Sequence, residues 1–263
     1  MSTAQHLAGP ASATAVRFTD VLSAEVTKIR TLPAPWIAVV VAFAANTLLG
    51  ALAATDTMRF AGPDGQISIG QFGTLLLSPA YAFIAVAVFA AGSEYRSGQL
   101  GVSLAAVPNR TRLSAAKLSA TAMICVLAAV PVTGPGYLLQ HYPDLVAGDL
   151  RAAQLLTGLG TVVGVYLLLS LIGYGLAVVV KSVVTPVAAL FAIPILVSPM
   201  LQGALPDVVR LLPHEAALSI LGNPTDPSSA LDVGAASLTL SGWAAVFVLL
   251  SCWCLARRDS HGG

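Results

Sequence analysis

Two long uncharged runs with a basic segment between them constrain this chain more than any other feature. Residues 65–93 and 118–140 contain no Asp, Glu, Lys or Arg. Each run is long enough to cross a bilayer, whose hydrocarbon core of about 30 Å needs roughly 20 helical residues. The intervening stretch, EYRSGQLGVSLAAVPNRTRLSAAK (94–117), carries Arg96, Arg110, Arg112 and Lys117 against one carboxylate, Glu94. It reads as a loop held at one membrane face, and its excess of cations assigns that face to the cytoplasm.

Composition extends this reading to the whole chain. Only 10% of its 263 residues are charged and 56% are hydrophobic, whereas a soluble domain carries about 25% charged residues. Too few charges remain to cover a water-facing surface, so the expected fold class is all-α, a polytopic membrane protein with six transmembrane helices. A net charge of +1 points to no nucleic-acid partner. Cys125, Cys252 and Cys254 lie in apolar runs and read as small apolar fillers.

Taken in order, residues 1–15 read as a disordered polar tail without a signal-peptide pattern. A single transmembrane domain is expected over 16–256, with a cytoplasmic tail at 257–263. In residues 16–31, Phe18, Leu22, Val26 and Ile29 fall on one helical stripe, with Asp20, Glu25, Lys28 and Arg30 mostly off it. That pattern predicts an amphipathic helix along the membrane surface or packed on the protein itself. Pro33 and Pro35 are expected to break it before Trp36, an interfacial anchor. The spans are expected at about 36–54, 72–92, 114–138, 153–180, 184–205 and 237–255. The fifth contains Pro186, Pro194 and Pro199, tolerable where neighbouring groups re-satisfy the freed carbonyls. Residues 206–232 predict one or two short helices packed back onto the outer mouth.

Six crossings place both termini on one side. Of the 13 Lys and Arg residues, only Arg59, Arg151 and Arg210 then fall outside, an asymmetry that supports cytoplasmic termini. An Ala- and Val-rich composition suggests a GC-rich bacterial source, and the expected location is the bacterial inner (cytoplasmic) membrane.

The chain carries no nucleotide-binding loop. The nearest match ends at Lys181-Ser182, with Val180 at the required glycine position, so no glycine-rich cradle of N–H groups is available. His6, His141, His214 and His261 lie outside the spans, and His214-Glu215 after Pro213 reads as a helix start with a polar first turn. No titratable group is expected at depth in a span, which argues against an intramembrane enzyme or a proton-coupled carrier. No metal site is expected. Gly160-x-x-x-Gly164 permits close helix approach, by preference within the subunit. Asn46, Tyr81, Tyr166, Tyr174 and Gln202 are the candidates for lining a substrate pathway, with interhelical hydrogen bonding as the plainer role.

Glu94-Tyr95-Arg96-x-Gly98, directly after the second span, resembles the coupling segment of ABC-2 type ABC transporter permeases. Glu25-x-x-Lys28-x-Arg30 resembles that family's surface helix before span one. Asn109-Arg110-Thr111-Arg112 with Lys117 resembles its entry to span three, and Leu212-Pro213 its outer loop between spans five and six. Where the family often has Gly-Thr, this chain has Gly98-Gln99. The resemblance implies a cytoplasmic coupling helix at about residues 94–108. It implies contact with the ATPase subunit through Glu94, Tyr95, Arg96, Ser97, Gly98, Gln99 and Leu100. The implied partners are two ABC-type ATP-binding subunits, a second permease subunit (identical or related) and membrane lipid. ATP and Mg would be held by the ATPase partner, and no cofactor by this chain. The expected function is a non-catalytic permease subunit of an exporter for a hydrophobic or amphipathic small molecule, lipid or peptide. A secondary carrier or channel acting alone is the alternative; it should show inverted repeats and intramembrane charges.

Overall fold

The computed structural model describes residues 17–55, 59–62, 65–68, 73–107 and 109–257. The terminal tails expected at 1–15 and beyond residue 257 lie outside them. The first helix, α1, is Phe18–Thr31, and its first turn is held by Asp20, whose carboxylate accepts from the Arg17 N–H at 3.1 Å. Its buried face is Val21, Glu25 and Ile29, flanked by half-buried Leu22 and Val26, while Phe18 is exposed. The packed stripe is therefore rotated from the expected one, and a carboxylate sits in its centre.

Helix α2, Pro33–Thr55, follows after the single extended residue Leu32. Both prolines fall within its first turn, where a missing N–H costs nothing, so the helix starts at Pro33 rather than at Trp36. The Trp36 indole N–H donates to the Arg30 carbonyl at 2.9 Å and fixes the corner between the two helices. The chain then pairs as an antiparallel hairpin, β1 (Arg59–Gly62) with β2 (Gly65–Ser68).

A single turn, α3 (Gly73–Leu76), leads into α4 (Ser78–Ser97), and the two make the second span. After α5 (Gln99–Ala106) comes α6 (Arg110–Gln140), which continues through Pro131 and Pro135 without ending. Short α7 (Tyr142–Ala147) precedes α8 (Ala152–Val180). The fifth span is composite. It comprises α9 (Val184–Ala192), a π-helical turn (Ile193–Val197) and α10 (Ser198–Gln202). Pro194 lacks an N–H to donate, and the widened turn absorbs that interruption. Two short helices follow, α11 (Pro206–Val209) and α12 (Pro213–Ile220), and α13 (Val233–Arg257) makes the sixth span.

Among the described residues, six helices are thus long and apolar enough to cross a membrane. They are not equally placed. The span containing α4 is 72% buried inside the chain, whereas α2 is 11% buried, so α4 is the central post and α2 lies at the periphery of the chain. Phe83, Ile84, Val86 and Val88 of α4 pack against Tyr166, Leu169, Ile172 and Tyr174 of α8. Glycines set the closest approaches. A Cβ on Gly50 would come within 2.2 Å of the Gly136 carbonyl oxygen, so only a hydrogen lets α2 and α6 meet there. Gly175 meets the Phe247 backbone of α13 in the same way. Gly160 and Gly164 do not take the packing role expected of them: the space beside each is open.

Candidate functional site

The site begins where the second span runs out. Helix α4 continues to Ser97, and Gly98 then adopts φ +69°, a left-handed conformation that glycine takes without the Cβ penalty. This turns the chain sharply into α5. Val107 is extended, and Asn109 caps the next helix, its side-chain oxygen accepting from the Arg112 N–H at 3.0 Å and the Thr111 hydroxyl at 2.8 Å. The inner side of α5 is apolar. Leu104 and Val107 pack against Val21 of α1 and Leu113 and Ala116 of α6. Its outer side exposes Gly101, Val102, Ala105 and Ala106.

Behind this short helix lies a buried ionic cluster. The Lys117 ammonium donates to both oxygens of Glu25, at 3.0 and 3.1 Å, and also to Glu94. Lys28 donates to Glu94 as well, to Glu25 at 3.4 Å and to the Ser103 hydroxyl at 3.5 Å. Two carboxylates meet two ammonium groups, so the cluster is neutral overall. It joins α1, the end of α4, α5 and the start of α6. Glu94 is 2% exposed, Glu25 7% and Lys117 8%; charges this deep persist only when paired and hydrogen-bonded. Burial favours the neutral form of Lys28. The Glu94 hydrogen bond and the charges of Glu94 and Glu25 outweigh it, and hold the ammonium above the ordinary lysine value.

Sequence reasoning singled out Glu94 and the loop, but not the cluster. Glu25, Lys28, Ser103 and Lys117 complete it. The available signal was Glu25 in the middle of an apolar i, i+4 stripe, Val21–Glu25–Ile29, which can be buried only against a cation. Glu94 and Lys117 stand at the ends of the second and third spans, as expected, but they are buried there rather than exposed at the membrane face. Of the other loop residues, Tyr95 is half-buried and Gly98 is exposed. The side chains of Arg96, Ser97, Gln99 and Leu100 lie outside the described residues, although all four belong to helices.

The five pathway candidates separate. The Asn46 amide donates to the Tyr166 hydroxyl at 2.8 Å, and both line a cavity of about 270 Å³ between α2, α6, α8 and α12. Thr133, Thr161 and Asn223 add polar atoms to its wall. Tyr81 is buried edge-on to Phe191, its hydroxyl unpartnered. Tyr174 is buried in the core. Gln202 donates to Asp226 at 3.4 Å in the segment before α13.

His214 and Glu215 do begin a helix, but they are buried rather than a solvated first turn. Ser198 Oγ lies 2.8 Å from His214 Nε2, and Glu215 Oε1 lies 3.5 Å from the same nitrogen. A nucleophile relay needs its acid on the other ring nitrogen, so this cluster is structural. Burial opposes the charge on Glu215. Hydrogen bonds from His214 and Thr225 outweigh it and hold the carboxyl below its usual value. All three cysteines are free, and among the described residues no three His, Cys, Asp or Glu side chains cluster as a metal site would need.

No curated protein matches this chain at a significant level. The family model described as ABC-2 family transporter protein matches residues 21–197. That interval contains all but the first three residues of α1, the first four spans, α5 and every residue of the ionic cluster. With six membrane-crossing helices and a match over more than half its length, the chain belongs to the ABC-2 family of transporter proteins, multi-pass membrane subunits that associate with an ABC-type ATP-binding subunit.

Proposed function

We propose that this chain is the permease subunit of an ATP-binding cassette exporter. It forms the translocation pathway and is driven by a separate pair of ATPase subunits that hold ATP and Mg. Two copies of the chain, or this chain and a related one, enclose the pathway. Its cargo is a hydrophobic or amphipathic small molecule, lipid or peptide. The termini and α5 face the cytoplasm of a bacterium, and the hairpin and α12 face outward.

One observation carries this reading: a short helix between spans two and three is tied to three other elements at once. A push delivered to an isolated loop would be absorbed by local bending. A push delivered to α5 is passed to α1, α4 and α6 together, because a buried ionic network and an apolar contact tie them. Rigid-body motion below thus becomes helix tilt above. In this reading Glu94 is the internal strut, and the exposed side of α5 meets the ATPase.

Val102 is 72% exposed on that side. Val102→Asp, reconstituted with its ATPase partner in proteoliposomes, should lower ATP-dependent export at least tenfold while thermal stability is unchanged. Export untouched by this substitution, or transport by the chain alone without any ATPase, overturns the proposal.

A further inference from the structure

Helices α2 and α6 meet at Gly50 and Gly136 but leave a groove between them nearer α1. Its volume is about 320 Å³. Val39 of α2, Val86 of α4 and Met123, Leu127, Ala128 and Pro131 of α6 supply half of its lining residues. Met123 and Leu127 are exposed along its edge, so it opens sideways. At its α1 end stand Trp36 and Arg30. Arg30 is the one charged residue in the lining, and among the described residues it pairs with no carboxylate.

We infer that this groove retains one acyl chain of an anionic phospholipid, with its phosphate at Arg30. Three observations lead there. The α6 wall from Met123 to Pro131 spans about 12 Å at 1.5 Å per residue. That matches most of one leaflet, which is about half of a 30 Å hydrocarbon core. A helix with its side chains is about 10–12 Å across, too wide for this volume, whereas a hydrocarbon chain fits. Finally, Trp36 is pinned by the Arg30 carbonyl, so the amphipathic ring and the cation stand together at the depth where headgroup meets acyl chain. The groove cradles the acyl chain on one side, and Arg30 is the cation in its lining that can take the head.

Trp36 itself is the probe. In the full chain carrying Trp243→Phe and Trp253→Phe, its fluorescence is measured in bilayers of phosphatidylcholine and phosphatidylglycerol. The acyl chains of one lipid or the other are brominated. Brominated phosphatidylglycerol should occupy the quenching site with about fivefold preference, the selectivity one basic side chain supports at a membrane surface. Arg30→Lys should keep that preference and Arg30→Gln should abolish it. Ala128→Phe, which fills the groove, should reduce quenching by both lipids. Equal quenching by the two lipids in the parent chain, or an undiminished preference in Arg30→Gln, overturns the inference. So does quenching no stronger than that of Trp253 in a chain retaining only that tryptophan, since the occupant would then be bulk lipid.

Discussion

Glu94 shows how one residue can be a surface group by sequence and an interior one by structure. It accepts from Lys28, 66 positions away, and from Lys117, 23 positions away. Removing its charge leaves two ammonium groups facing Glu25 alone. Breaking a buried ionic network from one side costs about 3–5 kcal/mol, so Glu94→Gln should destabilise the chain by roughly that amount. Glu94→Met together with Lys117→Met removes one charge of each sign and leaves Glu25 with Lys28. That pair of substitutions should recover most of the loss, because a balanced apolar replacement of buried ions is often near neutral. Unfolding in mixed micelles with sodium dodecyl sulfate measures both. Additive losses in the double substitution would show that the two groups do not act as a pair.

At the scale of elements, the contact between α2 and α6 rests on backbone proximity. A Cβ on Gly136 would lie 2.4 Å from the Asn46 carbonyl oxygen and 2.2 Å from its side-chain oxygen. Gly136→Leu should therefore push the helices apart, breaking the Asn46–Tyr166 hydrogen bond and enlarging the cavity beside it. Overpacking of this kind typically costs about 1–3 kcal/mol. A lowered unfolding midpoint for Gly136→Leu, with Gly160→Leu unaffected because its surroundings are open, is the expected contrast. Gly-x-x-x-Gly spacing alone pointed to Gly160 and Gly164. Which glycines touch depends on where another helix crosses, and local sequence does not encode that.

For the whole molecule, six crossings return α13 to the side of α1, so one accessibility experiment orients everything. Cys252 and Cys254 are half-buried and Cys125 is buried, so replacing all three by serine or alanine gives a silent background. Single cysteines are then placed at Val102 on α5 and Val146 on α7, 72% and 69% exposed. A membrane-impermeant maleimide should label position 146 in intact cells and position 102 only after permeabilisation. The reverse pattern would invert the proposed orientation and remove α5 from the cytoplasm.

The number and type of spans were legible because each is a long charge-free run, and hydrocarbon permits only closed backbone hydrogen bonding. The loop between spans two and three was legible because Arg96, Arg110, Arg112 and Lys117 interrupt those runs. The short helix α12, packed back on α13, was foreshadowed by apolar residues 216–221 inside a polar segment. The ionic cluster was not legible. Glu25 and Lys28 on α1, Glu94 on α4, Ser103 on α5 and Lys117 on α6 look like ordinary boundary polarity when each is read in its own stretch. Hydropathy is a local property, so the sequence alone settles what must lie in the membrane. Pairing between residues 66 and 92 positions apart exists only once helices pack, and that packing decided which charges are exposed and which hold the bundle together.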